Sequence, residues 1–162
     1  MALQPDMRTF LDAMAEIPAG VAVVTTLDSV GTPAGATLSA VSSVSLDPPL
    51  ILACFDHGSD TLAAVLQRGA FLLHLLGEGQ EAVAKRFASE EGKFAERDWS
   101  LGPHGLPQLE SCSLVLRCSL EQVVDAGDHR VLFGRVLEID HRAGRPLVYH
   151  RRMLAPSPVP GA

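Results

Sequence analysis

The sequence predicts a mainly β domain with peripheral helices, folded as a mostly antiparallel barrel. Three observations carry this. Six or seven strand-length apolar runs are separated by turn residues, against two or three segments of helical period. Strands and helices do not alternate regularly, as a doubly wound parallel sheet requires. Neither GxGxxG nor a GK[ST] phosphate loop occurs.

Taken in order, Met7, Phe10, Leu11, Met14 and Ile17 fall at helical spacing, with Asp6 as N-cap and Pro18-Ala19-Gly20 closing the element. This amphipathic helix must pack on something. GVAVVTTL (20–27) is a β-branched core strand, and Asp28 to Pro33 a turn into a hairpin partner over Gly35 to Ser43. After Asp47-Pro48-Pro49, Leu50 to Phe55 reads as a strand buried on both faces. Ser59 caps a helix that Gly69 ends. Ala70 to Leu76 is a strand and Gly79 to Glu90 a helix, with Val83, Ala84 and Phe87 inward and Lys85 and Arg86 outward. Glu91 to Gln108, anchored by Trp99, reads as a long loop of the kind that covers a site. A half-exposed strand from Ser111, a turn at Ala126-Gly127-Asp128, a return strand over His129 to Asp140 and a short strand over Pro146 to Tyr149 complete the barrel. The domain covers 1–155, and the Pro-rich tail 156–162 is an extended arm.

The 162 residues suffice for one domain with a real core; 47% are apolar and the mean hydropathy is +0.20. A net charge of -6 without Lys/Arg clustering argues against a nucleic-acid surface. The start of the chain lacks a basic region followed by an apolar run, and no stretch approaches the roughly 20 apolar residues that span a bilayer, so no membrane partner is expected. Cys54, Cys112 and Cys118 read as buried free thiols in a reducing cytoplasm. Six scattered histidines form no metal-binding pattern.

The most unusual stretch is Gly35 to Phe55. It places Thr37, Ser39, Ser42, Ser43 and Ser45 within nine positions, directly before the apolar strand. Short hydroxyls beside a greasy wall suit a flat ligand with many acceptors, while the same composition also suits the outer face of an antiparallel sheet. The helix start at Gly58, Ser59 and Thr61 is either an anion site or an ordinary cap. Arg86, and the group Arg142, Arg145, Arg151 and Arg152, are either counter-ions for a phosphate or solvated.

PAGVAVVTT (18–26), GATLSA (35–40) with SVSLDPPL (43–50), and Gly127-Asp128-His129 resemble, in order and spacing, the flavin reductase family of split-barrel FMN-binding proteins. The resemblance spans roughly residues 7 to 153. It implies a homodimer of six-stranded split barrels that binds FMN or FAD near the subunit interface and uses NADH or NADPH to reduce it for a partner flavin-dependent monooxygenase. Carried over by position, Thr37, Leu38, Ser39 and Ala40 line the isoalloxazine, and Cys54, Phe55 and Asp56 flank the ring or ribityl chain. Ser59, Thr61, Arg86 and Phe87 reach the phosphate side, and His129 faces the nicotinamide. Many members carry Asn-Ser or Ser-Ser where this chain has Ser39-Ala40, so one side-chain hydrogen bond to the flavin is either absent or made by backbone. The bound cofactors carry the chemistry in such an enzyme, in keeping with the lack of a triad, carboxylate pair or metal cluster. Two alternatives stay open: an electron carrier or storage protein that keeps its flavin, and an oxidase resembling the pyridoxamine-phosphate enzymes.

Overall fold

A computed structural model describes residues 6–159; residues 1–5, and residues 160–162 of the Pro-rich tail, lie outside the described residues. Asp6 caps α1 (Met7–Met14), its carboxylate accepting from the N–H groups of Arg8 and Thr9 at 3.1 Å each. Met7, Phe10, Leu11, Met14 and the following Ile17 are all exposed, so nothing among the described residues covers the stripe that the sequence builds. The strand expected from Gly20 divides at Val21 into β1 (Ala19–Gly20) and β2 (Ala22–Leu27). Asp28 shapes the next turn, accepting from Val30 N–H at 3.0 Å and Thr32 N–H at 2.7 Å, and the chain returns as β3 (Pro33–Leu38). The strand expected over Gly35 to Ser43 is two strands: β3 stops at Leu38, and β4 (Val41–Leu46) begins after Ser39-Ala40.

Then come β5 (Pro49–Asp56), α2 (Asp60–Arg68), β6 (Ala70–Leu75) and α3 (Glu81–Phe87). Ser59 and Gly69 cap α2 as the sequence indicates: Ser59 Oγ accepts from Leu62 N–H at 3.2 Å, and Gly69 takes the left-handed φ of 70° that lacks a Cβ penalty. The long loop expected over residues 91–108 contains a small hairpin, β7 (Trp99–Leu101) and β8 (Pro107–Leu109). Its apolar residues Leu106 and Leu109 are buried against the barrel, which makes it part of the core and not a lid. The long pair β9 (Leu114–Ala126) and β10 (His129–His141) turns at Gly127-Asp128. Last are β11 (Leu147–His150) and β12 (Met153–Pro156); the tail expected as an extended arm thus begins inside a strand, because Pro156 pairs with Leu147.

Seven antiparallel strands form the main sheet in the order β3-β2-β6-β9-β10-β5-β4, one more than the six expected. Its two outermost strands, β3 and β4, are consecutive in sequence and joined only by Ser39-Ala40. Three residue steps span at most about 11 Å, so the sheet must curl until its edges meet. The result is a barrel split between β3 and β4. Strand alternation then sends side chains to two cores. Ala22, Val24, Ile51, Ala53, Phe55, Phe71, Leu73, Leu116 and Leu132 fill the barrel, while Val21, Val23, Leu72, Phe87, Leu109 and Leu147 pack between its outer face and α3, β8 and β11. The expectation that β5 is buried on both faces fails. Ile51, Ala53 and Phe55 are buried and Leu52 and Cys54 half-buried, since their side of β5 belongs to neither core.

One buried polar residue fastens the outer layer. His74 on β6 is fully buried; the N–H of Leu109 on β8 donates to its Nε2 at 3.1 Å, so Nδ1 carries the proton and donates to Val23 O at 3.1 Å. Burial lowers its pKa from 6.5 to about 4, partly opposed by the Val23 bond. The unfolded chain therefore binds one more proton than the folded one between about pH 6.5 and pH 4, and stability falls as the pH drops through that window. Integrated, the loss is about 3 kcal/mol. Urea unfolding followed from pH 7 to pH 4 should show this decline, and His74→Gln should flatten it; an equally steep decline in the variant would place the proton uptake elsewhere.

Candidate functional site

A cleft of about 630 Å³ opens where the end of β3 meets α3 and the β11–β12 hairpin. Val21, Leu38, Ala84, Tyr149, Met153 and Leu154 give it apolar walls; Thr37 and Ser39 supply hydroxyls, and Glu81, Lys85 and Arg152 its charges. Its geometry depends on how closely α3 approaches β3. A Cβ on Gly35 would stand 2.7 Å from Cε1 and 2.9 Å from Cδ1 of Phe87, so only bare backbone lets that ring in. Thr37, two residues on and facing the same side, donates from Oγ1 to Ala84 O at 2.7 Å. Phe87 meets Phe94 edge-on at 5.0 Å, and Phe94 meets Trp99 at 5.1 Å, which fixes the far end of α3.

The opposite wall is the β11–β12 hairpin, whose turn residues Arg151 and Arg152 have φ of 50° and 63°. This is the left-handed region that Asn and Gly occupy readily, and for a residue with a Cβ it costs about 1 kcal/mol or more. The turn is clamped to α1 and the segment after it: Arg151 N–H donates to Ala15 O at 2.9 Å, its guanidinium to Glu16 at 2.8 and 2.9 Å, and Arg152 Nη2 to Asp12 Oδ1 at 2.5 Å. The other arginines of the terminal basic group are also paired, Arg142 with Asp140 at 3.1 Å and Arg145 with Glu78 at 3.2 Å.

Of the residues singled out in the sequence, Thr37, Leu38 and Ser39 line the cleft. Ala40 sits behind them, its carbonyl accepting from Cys54 N–H at 3.0 Å. Cys54 is half-buried, and partial burial raises its thiol pKa. Phe55, Thr61 and Phe87 are buried and do not reach the cleft. Arg86 is held away from it, donating to both oxygens of Asp98 at 2.6 and 2.8 Å and from Nε to Lys93 O at 2.9 Å. A second polar group gathers at the end of the β5–β10 pair. His129 lies opposite Asp56, and its Nδ1 is 2.7 Å from Asp128 Oδ1, a contact that lowers the Asp128 pKa. Asp128 O accepts from His57 N–H at 3.1 Å, and Asp56 Oδ1 from Gly58 N–H at 2.7 Å, just before Ser59. Strand rise puts Asp56 about 7 Å along from Cys54, and hence near the Ser39-Ala40 corner.

Of the remaining lining residues, Arg152 belongs to the terminal basic group that the sequence offers as a phosphate counter-ion or a solvated edge, while Tyr149, Met153 and Leu154 of the C-terminal wall and the α3 pair Glu81 and Lys85 were not picked out as site residues. The only sequence signal for them was an Arg-Arg pair flanked by apolar residues, where a tight turn ordinarily wants Asn or Gly. Among the described residues no group of three or more His, Cys, Asp or Glu is arranged to hold a metal ion, and no helix is long and apolar enough to cross a membrane.

A cleft of this size, mostly apolar and lined also by the Thr37 and Ser39 hydroxyls and by the cations Lys85 and Arg152 against one carboxylate, Glu81, fits an apolar ligand with a polar edge and a negative charge. The fold and cleft together are those of a split-barrel flavin-binding protein. Residues 14–157 match the flavin reductase like domain family, and the chain belongs to it. It is 40% identical over 159 residues to a flavin reductase (NADH) of Kitasatospora aureofaciens, covering 95% of this chain and 83% of that protein. It is 38% identical over 148 residues to HsaB, the reductase subunit of a flavin-dependent monooxygenase of Rhodococcus jostii (strain RHA1), covering 90% and 75%. A probable flavin reductase of Rhizobium meliloti (strain 1021) is 37% identical over 147 residues, but the match spans only 47% of its length. Among solved structures, BorF, the flavin reductase component of a bacterial two-component tryptophan halogenase, superposes with a TM-score of 0.87 at 30% identity over 97% of this chain and 100% of its own. The NADH:FAD oxidoreductase SgcE6 of Streptomyces globisporus, solved with NAD and FAD fragments, superposes at 0.87 with 28% identity over 96% and 95%.

Gly35→Ala should destabilise the chain by about 1–3 kcal/mol in urea unfolding, because the added methyl overlaps the Phe87 ring. Adding Phe87→Leu should recover part of that loss; a double variant no more stable than the sum of its singles would mean the ring is not the obstacle.

Proposed function

We propose that this chain is an NAD(P)H:flavin oxidoreductase that reduces FMN or FAD with NADH or NADPH and supplies the reduced flavin to a separate flavin-dependent monooxygenase. The observation that carries this reading is the hydroxyl-edged apolar cleft built on Thr37, Leu38 and Ser39, in a chain whose family match runs almost end to end. A bound flavin supplies the electron-accepting chemistry. The chain's residues bind it, orient it and exclude water. Val21, Leu38 and Leu154 form the dry wall. Thr37 has its proton committed to Ala84 O and so meets a ligand as an acceptor. Ser39 and the backbone of residues 38–40 are left to donate to the pyrimidine edge, where negative charge grows on reduction. Cys54 and Asp56 border the same corner, and Ser59 with the N-terminus of α2 offers N–H groups to a phosphate. Phe55, Thr61 and Phe87 support the site from beneath, and the Arg86–Asp98 pair pins α3. His129, exposed beside Asp56, orients the nicotinamide.

The chain works as a homodimer in the cytoplasm. The uncovered stripe on α1 and Leu46, 97% exposed on the edge strand β4, are the apolar surface a second copy would cover. Three unpaired thiols suit a reducing compartment.

Purified protein mixed with NADH and excess free FMN should oxidise many equivalents of NADH, seen as continuous loss of the nicotinamide absorbance. A single stoichiometric change would indicate a carrier that keeps its flavin, and a tightly yellow protein inert to NADH would indicate an oxidase with its own substrate. His129→Ala should raise KM for NADH roughly fivefold or more, the size of one lost hydrogen bond, with little change in KM for flavin. Equal small effects on both would remove His129 from the site.

A further inference from the structure

We propose that Arg152 and Lys85 form a phosphate subsite at the mouth of the cleft, so that the chain selects phosphorylated nucleotides over the matching uncharged nucleosides. This deepens the reading of the cleft as the substrate site and rests on it. Both side chains line the cleft from elements distant in sequence, Lys85 from α3 and Arg152 from the β11–β12 turn. Arg152 is held at a φ of 63°, directly after Arg151 at 50°, in a turn that Gly would occupy without strain. A backbone outlier of this kind persists where the side chain it carries has a use, and here that side chain is a cation on the cleft.

Arg152 also has capacity to spare. Of its five N–H donors, the hydrogen bond to Asp12 Oδ1 occupies one on Nη2, and the side chain is 61% exposed. Lys85 makes no ion pair among the described residues. Against these two cations the cleft wall carries one carboxylate, Glu81, a turn before Lys85 on α3. A phosphate between Lys85 and Arg152 takes the place of the Asp12 carboxylate as acceptor. Asp12 thus holds the guanidinium in position and competes with a phosphate for it, so nucleotide binding releases α1 from the hairpin at that point.

The test is equilibrium binding without turnover, by titration calorimetry, of two ligand pairs: FMN against riboflavin, and ADP-ribose against adenosine. Arg152→Gly suits the left-handed φ and should fold at least as well as the parent, which a thermal melt verifies. It should reduce the preference for the phosphorylated member about fivefold, the size of one charge-assisted hydrogen bond at a half-exposed site. Asp12→Asn should shift the same preference the other way by removing the competing carboxylate. A change confined to the flavin pair assigns the subsite to the flavin phosphate, and one confined to the ADP-ribose pair assigns it to the dinucleotide; both uphold the proposal. Preferences unchanged in Arg152→Gly for both pairs, or no preference for either phosphorylated ligand in the folded parent, would overturn it. Arg152-dependent FMN binding without NADH oxidation would leave the subsite standing and sink the reductase reading, whereas NADH oxidation with unchanged preferences would do the reverse.

Discussion

The two-residue link Ser39-Ala40 is the constraint on which the molecule is organised. It ties the first and last strands of a seven-stranded sheet, so the sheet can satisfy the tether only by closing on itself. Closure encloses the inner apolar cluster and carries the end of β3 to the rim of the barrel, beside α3 and the C-terminal hairpin. The residues that enforce the fold are thus neighbours of those that line the cleft. A longer, looser link would cost little in loop entropy, but it would free the corner whose backbone and hydroxyls face the ligand site.

Around this barrel the chain builds a second apolar layer, and that layer gives the cleft its shape. The outer faces of β2 and β6 are buried under Phe87 of α3, Leu109 of β8 and Leu147 of β11, and Gly35 of β3 meets the same Phe87 ring. Two polar side chains inside this layer are matched: His74 bridges Val23 O and Leu109 N–H, and Thr25 Oγ1 donates to Pro107 O. Gly35 matters because a single missing Cβ sets the distance between β3 and α3, and with it the width of the cleft. The other wall is held by charge, through Arg151–Glu16 and Arg152–Asp12, contacts that are exposed and weak individually. One side of the cleft is therefore set by close packing and the other by ion pairs that an anionic ligand can displace.

Local patterns were legible where one residue's chemistry decides the outcome. Asp6, Ser59 and Gly69 act as the caps their side chains and spacing indicate, and Gly127-Asp128 is the hairpin turn. Mistakes arose where the deciding partner was remote. Gly35 to Ser43 reads as one strand because nothing local distinguishes Ser39-Ala40 from its neighbours; it breaks because β3 and β4 belong to opposite edges of the sheet. Residues 91–108 look like a lid, yet Leu106, Leu109 and Trp99 find a buried layer that does not exist until β2, β6 and α3 have assembled. Arg86 reads as either a phosphate counter-ion or a solvated side chain, and its pairing with Asp98, twelve residues away, is likewise not visible locally.

By itself the sequence determined the β-rich class, the caps and turns, the family, and the cluster of short hydroxyls that marks one wall of the cleft. The class, caps, turns and hydroxyl cluster depend on periodicity, backbone preference and residue type, which are written position by position, and the family follows from the resemblance of three motifs. Only the tertiary structure decided which hydroxyls face the cleft, which aromatics are core, and that Lys85 from α3 and Tyr149 and Arg152 from the facing hairpin line the same cleft. These three lie more than sixty residues apart at their extremes, and only long-range strand pairing with helix packing brings them onto one surface.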